Sequence, residues 1–216
     1  MSARTRILET IRRRQGRGGA APSGAELEQV TSALRAHSRG PLPPLEGDLA
    51  GRFCARAHAT TSTTDRVERL QDVPQAVARY LAAQDLPRAG CVWPALAHLD
   101  WPGAGLSLEA RAATGEDLLG VTGAFCALAE TGTLMLLSGA QTPSSVSLLP
   151  ETHVAVVEGS RVVAHMEDGW DLLRREQGVL PRAVNFISGP SRTADIEQTI
   201  VLGAHGPYRV HVVLVG

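Results

Sequence analysis

Short apolar runs rich in β-branched residues, alternating with helical patterns, constrain the fold of this chain most. Such runs are typical of strands that are buried on both faces of a sheet. The clearest strand candidates are residues 90–94, 125–129, 133–137, 153–157, 184–187 and 208–215. Because helical patterns separate several of them, we expect an α/β fold with a largely parallel, three-layer, Rossmann-like sheet. Weaker patterns predict a further strand near residues 53–58 and a helical run from Val67 to Leu81.

The N-terminal segment differs from the rest of the chain. Residues 3–14 place apolar side chains on one side of a helix, and residues 24–37 carry a weaker helical pattern. A Gly-Pro-Leu-Pro-Pro run over residues 40–44 is a linker that a helix cannot cross. We therefore predict a helical arm and linker over residues 1–45 and an α/β domain over residues 46–216.

The basic residues and the cysteines exclude several kinds of chemistry. All 21 basic residues are arginine, so neither a Schiff-base lysine nor a P-loop lysine is present. The three cysteines are far apart in sequence, and no two histidines have a tight ligand spacing. These spacings indicate no disulfide framework, no zinc site and no iron–sulfur site. We expect no metal and no cofactor bound by this chain.

The charge and hydropathy patterns also limit the expected partners and location. The arginine cluster at residues 12–14 lacks the interleaved aromatic residues of a nucleic-acid surface, so we expect no nucleic-acid partner. No apolar run approaches the roughly 20 residues that cross a bilayer. The N-terminus lacks the apolar core of a signal peptide. These patterns predict a cytoplasmic protein without a membrane span.

The segment Asn-Phe-Ile-Ser-Gly-Pro-Ser-Arg-Thr-Ala-Asp-Ile-Glu, residues 185–197, predicts an anion-binding turn between a strand and a helix. A glycine allows close backbone approach, a proline fixes the bend, and a hydroxyl caps a helix whose free N–H groups favour an anion. The predicted ligand-binding residues of this turn are Gly189, Pro190, Ser191, Arg192, Thr193 and Asp195. The alternative is an ordinary capped helix in which Arg192 pairs with a nearby acid.

Glu130 is the first candidate catalytic residue. It stands at the end of an apolar run, and strand ends line the ligand crevice of open α/β sheets. A partly buried carboxylate at such a place suits acid–base work. We assign the following Thr131, Gly132 and Thr133 to ligand binding. The alternative is that Glu130 and Thr131 satisfy backbone groups at a turn.

His205 is the second candidate catalytic residue. It lies in a Gly-Ala-His-Gly-Pro turn, residues 203–207, where an exposed imidazole can exchange protons or donate a hydrogen bond. His153 and His211 fall in strand patterns and are expected to be core or edge histidines.

Four blocks in the chain carry a resemblance to a known family. They are Ala-Glu-Thr-Gly-Thr-Leu (129–134), Leu-Leu-Pro-Glu-Thr-His (148–153), Ser-Gly-Pro-Ser-Arg-Thr-Ala-Asp-Ile-Glu (188–197), and Gly-Ala-His-Gly-Pro (203–207). Their order and spacing, over roughly residues 58–216, resemble the lactate utilization protein C family, whose shared unit is the LUD domain. The resemblance implies the fold shared by ribose-5-phosphate isomerase, glucosamine-6-phosphate deaminase and the CoA-transferases.

The resemblance also implies a function. It indicates a component of a system that oxidises L-lactate to pyruvate beside iron–sulfur partner proteins, with the clusters on the partners only. A stand-alone enzyme that acts on a carboxylate, acyl-CoA or sugar-phosphate substrate is the alternative, and it rests on the fold by analogy. A third hypothesis is a non-enzymatic protein that binds a small anionic ligand or serves as a scaffold.

Overall fold

The computed structural model describes residues 2–17, 21–193 and 201–216, and the chain divides into two compact units, Met1–Leu42 and Pro43–Gly216. Within the described ranges the α-helices are α1 (Ala3–Arg14), α2 (Gly24–Ala36), α3 (Leu49–Ala59), α4 (Val73–Ala83), α5 (Ser145–Leu148) and α6 (Met166–Gln177). The strands there are β1 (Thr63–Val67), β2 (Ala89–Val92), β3 (Ser107–Ala110), β4 (Leu119–Gly123), β5 (Cys126–Leu128), β6 (Thr133–Leu137), β7 (Thr152–Glu158), β8 (Val162–Val163), β9 (Val184–Ile187), β10 (Arg192–Thr193), β11 (Val201–Leu202) and β12 (Arg209–Val215). None of the described helices combines the length and the apolar character needed to cross a membrane.

In the first unit, side-chain caps set where the two helices begin. The Ser2 hydroxyl accepts a hydrogen bond from the Thr5 backbone N–H at 3.2 Å, which starts α1. Ser23 and Glu26 form a reciprocal capping box at the start of α2. The helices predicted for residues 3–14 and 24–37 are thus observed, and the caps explain their boundaries.

A parallel sheet forms the centre of the second unit. Its strand order is β1-β12-β7-β4-β2-β3, and every neighbouring pair is parallel. From β2 the chain moves outward to the edge strand β3, then returns to β4 on the other side of β2 and continues through β7 to β12. The direction of winding therefore reverses between β2 and β4. At such a reversal the connections diverge and leave a crevice at the carboxyl ends of the strands.

Apolar residues cover both faces of this sheet, as the unbroken runs predict. In β7, Val154 and Val156 pack in one buried cluster with α4, whereas Ala155 and Val157 pack in another with Phe53 of α3. The side chains of a strand alternate between faces, so both faces of β7 are buried. The predicted α/β fold with a largely parallel, layered sheet is confirmed.

A second sheet, of mixed direction, packs on the α3 side of the parallel sheet. Its order is β8-β5-β6-β9, with β6 antiparallel to both of its neighbours. Leu134 and Leu136 of β6 point into the core shared with the parallel sheet. Met135 of the same strand points to the other side, where it packs with Leu173 of α6. The antiparallel hairpin of β5 and β6 agrees with the predicted turn between two strands.

Two local predictions near the start of the second unit are wrong. The predicted strand near residues 53–58 is α3, which begins where the Asp48 carboxylate accepts the Gly51 N–H at 2.9 Å. Phe53 and Ala57, one helical turn apart, supply its buried side. The predicted helical run from Val67 starts too early, because Val67 is the last residue of β1 and the helix begins at Val73.

The predicted helix after residue 191 is also contradicted in part. Arg192 and Thr193 form β10, which pairs antiparallel with β11. Ser191 therefore precedes a strand and does not cap a helix. Asp195 lies outside the described residues, as does the predicted first helical turn around it.

Candidate functional site

The turn of residues 130–133 connects β5 to β6 and packs on the end of α3. Gly132 has a φ of +70°, and a Cβ on it would lie 2.4 Å from the Ala57 backbone nitrogen. Only glycine fits that contact without displacing the helix. The Gly132 N–H donates to the Leu128 carbonyl at 2.9 Å and closes the turn. α3 leads directly into β1, so this turn lies near the edge where the parallel strands begin, which we call the amino edge.

Glu130 pairs with a histidine that the sequence patterns did not indicate. Its Oε2 lies 3.0 Å from Nδ1 of His165, the residue that precedes α6. The Glu130 side chain is 32% exposed, whereas the His165 side chain is 9% exposed. The Glu130 N–H donates to the Ala164 carbonyl at 3.0 Å, which holds the two residues in register. A short hydrophobic run followed by acids at residues 167 and 168 marks a strand-to-helix junction, and that signal could have drawn attention to His165.

The two threonines of the turn link it to the loop of residues 188–191. Thr131 and Thr133 share a hydrogen bond between their hydroxyls at 2.7 Å, and the Thr133 hydroxyl lies 2.5 Å from that of Ser188. Thr131 and Ser188 are exposed and Thr133 is buried, so the buried hydroxyl links an exposed residue of each segment. Two segments that the sequence analysis assigned to ligand binding are therefore brought together.

The chain itself, and not a ligand, packs closely against Gly189. Gly189 has a φ of +80°, and a Cβ on it would lie 2.3 Å from the Thr60 carbonyl oxygen. The exposed Arg192 side chain donates from Nη2 to the Thr60 carbonyl at 3.4 Å and contacts the Thr61 hydroxyl. The loop thus docks on the residues that follow α3, with Pro190 half-buried beside it. Anion binding by the exposed side of this loop stays a prediction.

Ser191 connects the loop to the second predicted turn. Its N–H donates to the Pro207 carbonyl at 2.9 Å, and its carbonyl accepts from the Gly203 N–H at 3.0 Å. His205 lies exposed in the turn between those two residues. Two residues after Pro207, β12 begins. The predicted residues from 130–133, 188–192 and 203–207 therefore form one network of loops at the amino edge, and their roles in binding or catalysis stay predictions.

A cleft lies at the opposite, carboxyl edge of the sheet, where the winding reverses. It has a volume of about 370 Å³ and is lined by Trp93, Ala95, Leu96, Gly123, Ala124, Phe125, Leu137, Ser138, Gly139, Thr142, Gln177 and Pro181. A neighbouring hollow of about 380 Å³ shares Leu96 and residues 123–125 with it and extends to Glu158 and Arg161. Trp93 follows β2 and Gly123 ends β4, so the cleft opens at the reversal between these strands.

The sequence patterns did not indicate this cleft, and the ligand crevice was predicted beside Glu130 instead. Glu130 follows β5, which belongs to the second sheet, so the rule for parallel strand ends does not apply to it. Strand order cannot be read from strand patterns, and the reversal between β2 and β4 appears only in the folded chain. The Trp93 ring, which lies beside Gly123, was predicted only as part of a strand.

Comparisons with known proteins place this architecture in a family. The LUD domain model matches residues 95–215, a range that contains the predicted segments 130–133, 188–192 and 203–207. The chain is 31% identical to lactate utilization protein C of Bacillus subtilis (strain 168), over 97% of this chain and 93% of that protein. It is 29% identical to lactate utilization protein C of Geobacillus sp. (strain WCH70), over 98% of this chain and 95% of the relative.

A solved structure supports the fold independently. The crystal structure of a DUF162 family protein from Deinococcus radiodurans matches with a TM-score of 0.61 at 24% identity. The match covers 80% of this chain and all of that one. At this identity the likeness shows the fold alone, and the sequence relatives show the family. The chain belongs to the lactate utilization protein C family, whose shared unit is the LUD domain.

Proposed function

We propose that this protein is a cytoplasmic component of a lactate utilization system and works beside iron–sulfur partner proteins without carrying a cluster itself. The observation that carries the proposal is the 31% identity to Bacillus subtilis lactate utilization protein C over nearly the whole of both chains. An alignment of that extent includes the sheet, the three loops of the network and the N-terminal segment. A shared role of the whole chain explains it better than a shared fold alone.

The state of the cysteines supports the placement of the clusters on partners. Cys91 and Cys126 are fully buried in different core clusters. Burial raises the pKa of both thiols to about 11, which disfavours the thiolate form that ligates iron. Cys54 is half-buried on α3. Four clustered thiolates are the usual ligand set of an iron–sulfur cluster.

The loop network at the amino edge is the part of the molecule that we propose handles a small anion. Ser188 supplies an exposed hydroxyl and Arg192 an exposed guanidinium. Such groups recognise carboxylates and phosphates. Glu130 directly precedes Thr131, whose hydroxyl is linked to Ser188 through Thr133, and His165 contacts Glu130. The anion would bind on the outer side of this loop.

The pairing of Glu130 with His165 favours one alternative function. A carboxylate that orients an imidazole is an arrangement that enzymes use to move protons. A stand-alone enzyme on a carboxylate, acyl-CoA or sugar-phosphate substrate would use this pair as its acid–base group. The two functions differ in whether activity requires the partner proteins.

The test is a deletion of the gene in its own host, followed by growth on L-lactate or on pyruvate as the carbon source. We expect growth to fail on L-lactate and to persist on pyruvate, because the proposed step lies between the two compounds. The full chain supplied from a plasmid should restore growth. Equal growth of the deletion strain on both carbon sources would contradict the lactate role. Activity of the purified chain on a carboxylate without partners would favour the stand-alone enzyme.

A further inference from the structure

The cleft at the carboxyl edge offers a second binding site, separate from the loop network. We propose that it binds an uncharged, flat ring of a small molecule. Its volume of about 370 Å³ falls within the range of small-molecule sites, and its place at the winding reversal is where α/β sheets bind ligands. This proposal does not depend on the lactate role.

Aromatic and aliphatic side chains give the cleft a rigid apolar wall. Trp93 and Phe125 contribute rings, and Leu96 and Leu137 contribute aliphatic surface. The Trp93 ring is held in place, because its Nε1–H donates to the Pro143 carbonyl at 3.0 Å. A rigid wall of this composition stabilises a flat ring by stacking and by burial of apolar surface.

The cation that contacts the wall residue Phe125 is already paired with a carboxylate. Arg161 donates from Nη1 and Nη2 to the two carboxylate oxygens of Glu176, at 2.8 and 2.9 Å. Its Nε–H donates to the Phe125 carbonyl at 2.7 Å, and the guanidinium lies 4.6 Å from the centre of the Phe125 ring. Hydrogen bonding to Glu176 raises the pKa of Arg161, while the same contact lowers the pKa of Glu176. A ligand anion would have to displace Glu176 to use this charge.

The backbone donors around the cleft are also occupied. The Trp93 N–H donates to the Val121 carbonyl, and the Ala124 N–H donates to the Val156 carbonyl, at 2.9 and 2.8 Å. The Phe125 N–H donates to the Met135 carbonyl at 2.8 Å. These groups therefore cannot turn inward to solvate an oxyanion. Ser138, Thr142 and Gln177 add hydroxyl and amide groups to the cleft, but none of these three side chains carries a charge. Burial of an anion without a counter-charge is costly, so the wall favours an uncharged ligand.

The test uses prodan, an uncharged naphthalene ketone, and anilinonaphthalene sulfonate, an anionic naphthalene of similar size. We expect prodan to bind the full chain saturably with a blue-shifted emission, and the sulfonate to compete for the same site at least about tenfold more weakly. Equal or tighter binding of the sulfonate at that site would overturn the uncharged class.

Two glycine variants locate the binding. Gly123→Leu adds a side chain to the cleft wall, and its Cβ would meet the Trp93 ring at an ordinary contact distance of 3.6 Å. Gly115→Leu adds the same side chain at an exposed position with nothing within 4 Å. We expect Gly123→Leu to weaken prodan binding at least about tenfold and Gly115→Leu to leave it unchanged. Unchanged binding in a Gly123→Leu protein with a native circular dichroism spectrum would overturn the site. Thr142→Phe, from another part of the wall, replaces Gly123→Leu if that variant does not fold.

Discussion

At the scale of single residues, the contact between Glu130 and His165 joins a partly exposed carboxylate to a buried imidazole. The contact between Oε2 and Nδ1 at 3.0 Å fixes the orientation of the imidazole. Glu130 remains partly open to solvent, so protons can reach the pair from the surface. The hydroxyls of Thr131, Thr133 and Ser188 run alongside as further exchangeable groups.

Glu130→Gln tests whether this pair does functional work. The amide oxygen can still accept from His165, so we expect the free energy of unfolding to change by less than about 1 kcal/mol. Growth on L-lactate should nevertheless be lost, because the amide cannot take up a proton. The control is Glu151→Gln, which removes an exposed carboxylate 4.0 Å from Arg209 at the same edge of the sheet. A Glu130→Gln protein that is destabilised but supports growth would identify Glu130 as a turn residue only.

The sequence predicted individual residues at this site better than their partners. Glu130 and its turn could be predicted because both flanking strands are strongly apolar and the break between them is polar. His165 could not be predicted, since it lies 35 residues away in sequence and is brought to Glu130 by the parallel pairing of β5 with β8. Gly189 was correctly read as a site of close approach, but a sequence pattern cannot say whether protein or ligand approaches it.

At the scale of elements, α3 fixes the position of the loop network. Gly132 and Gly189 contact it or the residues just after it, so both predicted loops depend on one helix. The strand predicted near residues 53–58 is part of this helix, and the Asp48 cap that starts it lies before that segment. Short amphipathic segments are ambiguous between helix and strand until their packing is known.

Gly132→Ala measures that dependence. The substitution forces a methyl group to within 2.4 Å of the α3 backbone at a positive φ. Gly47→Ala is the matched control, since Gly47 has a φ of +86° but no atom within 4 Å of the added group. We expect about 1–2 kcal/mol of destabilisation from φ alone in Gly47→Ala. Gly132→Ala should lose about 1–3 kcal/mol more, from the clash with the helix.

Urea unfolding of the two variants beside the parent chain gives both values. Equal losses would show that α3 moves aside at little cost and that the loops do not depend on its position.

At the scale of the whole molecule, the parallel sheet holds two different regions at its two ends. The predicted loops lie at the amino edge, and the cleft lies at the carboxyl edge. The fold class followed from the sequence, because buried runs on both faces require layers on both sides. The strand order could not be predicted, because it depends on the direction in which each connection crosses the sheet. This order creates the cleft between β2 and β4.

Two buried histidines in the sheet make the stability of the whole molecule depend on pH. His153 hydrogen-bonds through Nε2 to the Thr122 hydroxyl at 2.7 Å, and His211 through Nδ1 to the Thr63 hydroxyl at 2.8 Å. His211 also stacks on Tyr80 of α4 at 3.8 Å. Burial lowers the pKa of both histidines to about 4 from the ordinary 6.5. Both are therefore neutral in the folded protein, as expected for the core histidines that the strand patterns predicted.

The folded state should lose stability as the pH falls through the window between these values. Above about pH 6.5 neither state binds a proton on these rings, so the full stability is present. Between about pH 6.5 and 4 the unfolded chain binds protons on these rings and the folded chain does not, so each histidine lowers the free energy of unfolding by about 1.4 kcal/mol per pH unit.

His153→Gln keeps a group that can hydrogen-bond to Thr122 and removes the titration. We expect this variant to be less stable at pH 7 but to show a slope shallower by about 1.4 kcal/mol per pH unit. His205→Gln makes the same substitution at an exposed position and is measured beside it. Urea unfolding at half-unit steps from pH 7.5 to 4.5 measures all three proteins, and a His153→Gln slope equal to that of the parent would show that His153 is not the titrating group.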